Sequence, residues 1–196
     1  VTVGTAGQVG FGSTPAYGTS GQVLTSNGNA PPSWGAVTMP TGTVLQVKNS
    51  TLNTITSTST TSRNGASTGL SVSITPKSSS SKILVMVSMQ STVYNVTTQC
   101  RFTRNGTAIG LAAAASTRVL STFGALQVIS DGNHQYTPWN YQYLDSPGTT
   151  SALTYKVQLK MQGGATAYLN RSSNDADNTD WAQRTTSSIT VMEIAS

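Results

Sequence analysis

Apolar residues in this chain fall on alternate positions far more often than on helical ones. Leu70, Val72 and Ile74 alternate with Ser71, Ser73 and Thr75. Tyr155, Val157, Leu159 and Met161 alternate with Lys156, Gln158 and Lys160. A period of two puts one set on the buried face of a β-strand and the other in water. From residue 41 onward Thr and Val are frequent, with Gly, Asn and Pro at short intervals. The pattern predicts strands at 43–48, 53–61, 70–75, 82–93, 98–104, 107–112, 119–129, 135–144, 152–162, 166–170 and 187–194. Asn64-Gly65, Asn105-Gly106, Asp131-Gly132, Pro147-Gly148 and Gly163-Gly164 read as the turns between them. The sharpest hairpin signal is Arg104-Asn105-Gly106-Thr107. A type I′ turn needs positive φ at both central residues, which Asn and Gly tolerate. Leu111-Ala112-Ala113-Ala114-Ala115 has helical propensity, but it is short and flanked by strands. An all-β sandwich or barrel follows.

Two segments break the alternation. In Ile83-Leu84-Val85-Met86-Val87, Val85 and Val87 share one face and Leu84 and Met86 the other, and both faces are apolar. Ile189, Val191, Met192 and Ile194 repeat this near the C-terminus. One face of each strand meets the core of a two-layer sandwich. Leaving the other in water is unfavourable by about 25 cal/mol per Å². A second subunit is the expected cover, with Leu84, Val85, Met86, Val87, Ile189, Val191, Met192 and Ile194 as the expected interface.

Residues 1–40 are different: Gly, Ser, Thr, Asn and Pro dominate, without sustained apolar periodicity. Gly4-Thr5-Ala6-Gly7-Gln8-Val9 recurs as Gly18-Thr19-Ser20-Gly21-Gln22-Val23. Asn27-Gly28 reads as a tight turn, and Pro31-Pro32 as a stiff exit from it. Such a segment has too few apolar groups for a core of its own, so it reads as a stalk of identical copies wound together. Trp34 and Val23-Leu24 favour that over a plain linker. The first residue, Val1, is not Met, so the chain reads as a fragment or a processed product.

Composition narrows the function. Only 17 of the 196 residues are charged, 11 basic and 6 acidic, while 27 Ser and 32 Thr supply aliphatic hydroxyls. The single Cys forbids an internal disulfide or a Cys-based zinc site. No apolar run is long enough for a membrane-spanning helix, and no signal peptide is visible. The basic residues are scattered along the sequence, the closest pairs being Arg101 with Arg104 and Lys156 with Lys160. Nucleic-acid binding, which needs a clustered patch or stripe, is therefore not expected, although the net charge of +5 suits an anionic cell surface.

Catalytic parts are scarce. His134 is the sole imidazole and reads as a loop residue after the Asp131-Gly132 turn; Cys100 reads as a small buried strand residue. No Gly-x-Ser-x-Gly elbow singles out a nucleophile. Asp175, Asp177 and Asp180 cluster between Ser172 and Trp181. They read as a polar loop, with a Ca²⁺ site as the weaker alternative, because the Gly and terminal Glu of an EF-hand loop are missing. In Tyr136-Thr137-Pro138-Trp139-Asn140-Tyr141-Gln142-Tyr143, an extended backbone puts Trp139, Tyr141 and Tyr143 on one face. That face is either core or a stacking surface for sugar rings, which Tyr168 and Trp181 would join.

Two stretches resemble a known family. Gly18-Thr19-Ser20-Gly21-Gln22-Val23-Leu24-Thr25-Ser26-Asn27-Gly28, closing on Pro32-Ser33-Trp34-Gly35, resembles a linker repeat of bacteriophage tail fibres. The stretch from Gly69 to Val85, with Ser187 to Ile194, resembles the first and last parts of a C-terminal domain in cyanophage tail fibres. The resemblance implies a homotrimeric virion fibre tip that touches the host, with a jelly-roll-like sandwich akin to the trimeric heads of tumour necrosis factor. It carries over no catalytic and no receptor-contact residue. The expected protein has a stalk at 1–40 and an all-β head at 41–196, no cofactor and no enzymatic activity. It attaches to a host surface glycan through Tyr136, Trp139, Tyr141, Tyr143, Asn174 and Trp181, and meets other tail or baseplate proteins through its N-terminal region. The rival expectations are a structural adaptor without receptor contact and, less well supported, a capsule depolymerase.

Overall fold

A computed structural model describes the chain apart from residues 6, 8, 12–16, 63–64, 93–95, 128–135, 178 and 181, and apart from the side chains of 96 and 125–127. The chain divides into two compact units, Val1–Pro40 and Thr41–Ser196. Every strand pairing is antiparallel, and no helix occurs among the described residues.

In the first unit β1 (Thr2–Val3) pairs with β2 (Val9–Gly10), and β3 (Gln22–Asn27) with β4 (Ala30–Ala36). Strands were not expected here, yet the Asn27-Gly28 signal marks a real hairpin. Gly28 takes φ 66°, and the Asn27 amide donates to Pro31 O at 2.8 Å. Pro31 and Pro32 follow the turn as its exit, and they sit inside β4. The register slips between Thr25 and Asn27, opposite them, which suits residues with no N–H to donate. Gly18 has a positive φ and lies under the Trp34 ring, where a Cβ would come within 2.7 Å of it. Val3, Val9, Val23, Leu24, Val37 and Met39 are all exposed.

The second unit contains β5 (Val44–Leu52), β6 (Thr56–Thr58), β7 (Ala66–Ile74), β8 (Lys82–Thr92), β9 (Val96–Arg104), β10 (Thr107–Ile109), β11 (Phe123–Gln127), β12 (Thr137–Asp145), β13 (Leu153–Met161), β14 (Ala167–Leu169) and β15 (Ser187–Ile194). One sheet runs β5–β15–β8–β14–β6, with β12 on β8; the other runs β10–β9–β13–β7, with β11 on β9. Asn105 and Gly106 adopt φ 49° and 87° between β9 and β10, the two left-handed residues a type I′ turn requires. The expected strand at 107–112 stops at Ile109, before the alanine run, and the one at 53–61 shrinks to Thr56–Thr58.

Alternate positions of the two sheets fill one core. Leu70, Val72 and Ile74 of β7, Ile83, Val85, Val87 and Met89 of β8, Cys100 and Phe102 of β9, and Tyr155 to Met161 of β13 interleave there with Ile189 and Val191 of β15. Burying each such side chain contributes about 1.5–3 kcal/mol. Two polar groups tie the ends. Asp145 of β12 accepts from Arg104 Nη1 at 2.8 and 2.7 Å and from the Tyr155 hydroxyl at 2.7 Å, joining the two sheets. Burial first, and the Asp145 hydrogen bond second, push the Tyr155 phenol well up. Burial opposes the Arg104 charge, but its bond to Asp145 outweighs this and holds the guanidinium above its ordinary value. At β15, buried Glu193 accepts from Gln46 Nε2 at 2.6 Å and from the backbone N–H of Lys77 at 2.7 Å and Ser78 at 3.3 Å. This fixes the Thr75–Ser81 connection onto the sheet.

Candidate functional site

Strand pleat and register decide which expected residues face outward. Val85, Val87, Ile189 and Val191 point into the core and are buried within one chain. Of the eight expected interface residues these four face the core, and the second apolar face belongs to their neighbours. Leu84, Met86, Met192 and Ile194 lie on the outer face and are half-buried. Antiparallel pairing sets Val47 opposite Met192, Met192 opposite Leu84 and Leu84 opposite Leu144. The result is an apolar row across four strands. Val47 and Leu144 are 50% and 49% exposed, and Val44, paired with Ile194, is 48% exposed. Two rows continue from it, polar apart from Met86: Asn49–Thr190–Met86–Gln142, then Thr51–Ser188–Ser88–Asn140. The polar end is a concavity of about 520 Å³, lined in part by Met86, Asn140, Gln142 and Thr190. Val44, Val47 and Leu144 escaped the sequence reading. Val44 and Val47 lie in β5 and Leu144 lies far along the chain in β12, so only register reveals that they align.

The aromatic stretch is largely core. Trp139 is 5% exposed and packs edge-on to Phe123 at 6.1 Å, so it is not available to a receptor in this arrangement. Tyr141 stacks on Phe123 at 4.9 Å and 13°, on the inner side of the sheet, and keeps one edge exposed. Tyr143 packs against the core, with Gly110 so close that a Cβ there would come within 2.9 Å of the ring. Tyr136 is set apart: its hydroxyl donates to Gln183 O at 2.6 Å and accepts from Gln183 N–H at 2.7 Å. It thereby holds the segment between β14 and β15. Trp181 and His134 lie outside the described residues.

That segment leaves the sheet where β5 ends and β15 begins, at the opposite end from Thr41. Arg171 Nη1 contacts Asp175 at 2.7 Å, and Arg184 contacts the other Asp175 oxygen. The hydrogen bond from Arg184 first, and that from Arg171 after it, hold the Asp175 carboxyl below its ordinary value. This corrects the cation reading: Asp175 is neutralised by two guanidinium groups, and no group of three potential ligands gathers among the described residues. Asp177 and Asp180 are exposed, as is Asn174, whose carbonyl accepts from the Ser172 hydroxyl. Arg171 also lies over the Tyr168 ring at 4.0 Å. Asp177, Gln183 and Arg184 line a polar concavity of about 220 Å³, and Ile55, Thr56 and Tyr168 part of another of about 270 Å³. The arrangement offers amide, hydroxyl, carboxylate and guanidinium groups to a polyhydroxylated ligand. Cys100 is buried, and burial pushes its thiol well up, away from the thiolate form that nucleophilic chemistry uses.

No protein-family model matches the chain, and no curated protein is significantly similar to it.

Proposed function

We propose that the chain is the distal end of a bacteriophage tail fibre: a homotrimeric head on an extended stalk, attaching the virion to a glycan on the host surface. The observation that carries this reading is the apolar row Val47–Met192–Leu84–Leu144 on the outer face of one sheet. A head working alone in water would leave that row wet; three copies meeting around an axis would cover it. The strand order supports a jelly roll of the kind found in trimeric heads. With β6 and β14 extending β5 and β15, a sheet β5–β15–β8–β12 faces a sheet β7–β13–β9–β11. The first unit supports the stalk, since its valines, Leu24 and Met39 are exposed in a single copy and suit burial between copies.

Attachment needs no chemistry from the protein, and none is proposed: no cofactor, no metal, no cleavage. The polar concavities around Tyr136, Asp177, Gln183 and Arg184 are the proposed glycan contacts, at the end of the head away from Thr41. Weak single sites there would act together through three copies per fibre. The test has two arms. Light scattering of the purified chain should give three times the 20.4 kDa chain mass. Labelled protein should bind a panel of bacterial cells, cyanobacteria included, saturably and less after periodate oxidation of their surface sugars. A well-folded monomer overturns the trimer, and periodate-insensitive adsorption overturns the glycan.

A further inference from the structure

The outer face of β7, β13 and β9 carries charge of one sign. Its outward positions hold Arg101, Lys156 and Lys160 among Ser, Thr, Gly and Gln, with neither a carboxylate nor an aromatic ring. Arg101 is distant in sequence from the two lysines, but β9 and β13 are neighbours, with Gln158 opposite Arg101. Lys156 and Lys160 are then both diagonal neighbours of Arg101, about 7–8 Å away. The two lysines themselves lie about 13 Å apart along β13. Arg101 is anchored by donating to Gln158 Oε1 at 2.8 Å. The segment 110–122 brings a fourth cation: Arg118 joins Arg101 in lining a concavity of about 300 Å³ walled by Leu111, Ala114 and Leu120.

The described acids lie elsewhere. Asp145 and Glu193 are buried and bonded, Asp175 is held by two arginines, and Asp177 and Asp180 follow β14. In a chain with so few charges, four cations share one surface, and no described carboxylate lines its concavity. Their mutual repulsion is relieved by a polyanion.

We infer that this surface binds an acidic polysaccharide, whose carboxylate or sulfate groups are taken by Arg101, Arg118, Lys156 and Lys160 and whose hydroxyls are taken by the flanking serines. The choice of a polysaccharide rests on the glycan-binding reading above; the anion preference rests on the surface itself. Single-stranded nucleic acid is disfavoured because no aromatic side chain points outward from these strands to stack on bases. The face is also free in the trimer proposed above, which uses the opposite sheet.

The experiment measures binding of the intact chain to dextran sulfate and to neutral dextran across a salt series. Wild type should bind the sulfated polymer only. Lys156→Gln with Lys160→Gln should weaken binding at least tenfold at low salt. It should also lower the slope of log affinity against log salt by about two, one per charge removed. Arg118→Gln should weaken it several-fold. Lys48→Gln with Lys82→Gln removes the same charge from the other sheet and should change affinity less than twofold. Equal loss in that control means diffuse charge and overturns the proposal. So does absence of wild-type binding, or tighter binding of DNA through the same lysines. Light scattering and cell adsorption on the same samples keep the two readings apart. Retained adsorption without dextran sulfate binding rejects the acidic surface and leaves attachment standing. Selective dextran sulfate binding without adsorption supports the surface and rejects attachment.

Discussion

Leu144→Asp should separate assembly from folding. Leu144 lies on the outer face at 49% exposure, opposite Leu84, while Val85 on the same β8 strand is fully buried. Covering the open half of Leu144, Val47 or Val44 is worth about 1 kcal/mol each, taken as half of full burial. That makes about 3 kcal/mol per protomer and about 9 kcal/mol for a trimer, before the entropy of association is subtracted. An aspartate at 144 removes one of these contributions and sets a carboxylate against the neighbouring copy. An unpaired ion there costs several kcal/mol per copy, three times over, which exceeds the gain. Within a single chain the same change is a surface substitution, worth under about 1 kcal/mol. The Leu144→Asp protein should therefore elute as a folded monomer with wild-type near-ultraviolet circular dichroism. Val85→Asp, which buries a carboxylate in the core, should not fold. A Leu144→Asp trimer, or one with wild-type dissociation, would refute this face as the interface.

Two further predictions concern the polar groups inside the head. Burial opposes the Glu193 charge, but the hydrogen bonds from Gln46, Lys77 and Ser78 outweigh it and hold the carboxyl below its ordinary value. A depressed folded pKa adds stability that is present above the unfolded pKa, near 4.3, and is lost as pH falls through the folded value. Glu193→Gln should thus cost about 2 kcal/mol at pH 7 in urea denaturation, with the gap to wild type narrowing below about pH 4; a pH-independent gap would count against the charge. Asp145→Asn breaks the link to Arg104 and Tyr155 and should cost about 3 kcal/mol, measured the same way. A change under about 0.5 kcal/mol, the size expected of an ordinary surface substitution, would mean that the bridge between the sheets is dispensable.

Strand identity was legible because alternation is a local signal. Leu70-Val72-Ile74 and Tyr155 to Met161 declare their buried face without reference to any neighbour, and the Asn105-Gly106 turn declares its φ angles by residue type. What could not be read locally was pairing. The segment at 83–87 gave both faces as apolar, but only the partners Val47, Leu144 and Met192 show which face is left open. The aromatic stretch stayed open between core and stacking surface for the same reason. Trp139 and Tyr143 pack inside because Phe123 and Gly110 lie across from them, and neither neighbour is close in sequence. For the aspartate cluster, counting oxygens kept a cation site open beside the polar loop, and what residue types do not tell is that Arg171 and Arg184 engage both oxygens of Asp175.

The two outer faces of the sandwich differ in the property that matters for association. One carries Val44, Val47, Leu84, Leu144 and Met192, which gain from dry contact; Lys82 is exposed on it at the start of β8, while Lys48 of β5 stands opposite the core-facing Val191. The other carries Arg101, Lys156 and Lys160 among hydroxyls and amides, which gain nothing from dry contact and stay soluble in water. Like copies packing through the second face would bring the same three cations together without a described acid to meet them. Copies packing through the first would bring apolar rows together at little electrostatic cost. The proposed self-association and the proposed polyanion binding thus fall on opposite sheets. A head built this way can present its basic faces outward around the assembly, where each copy meets the polymer independently and affinity grows with the number of copies engaged.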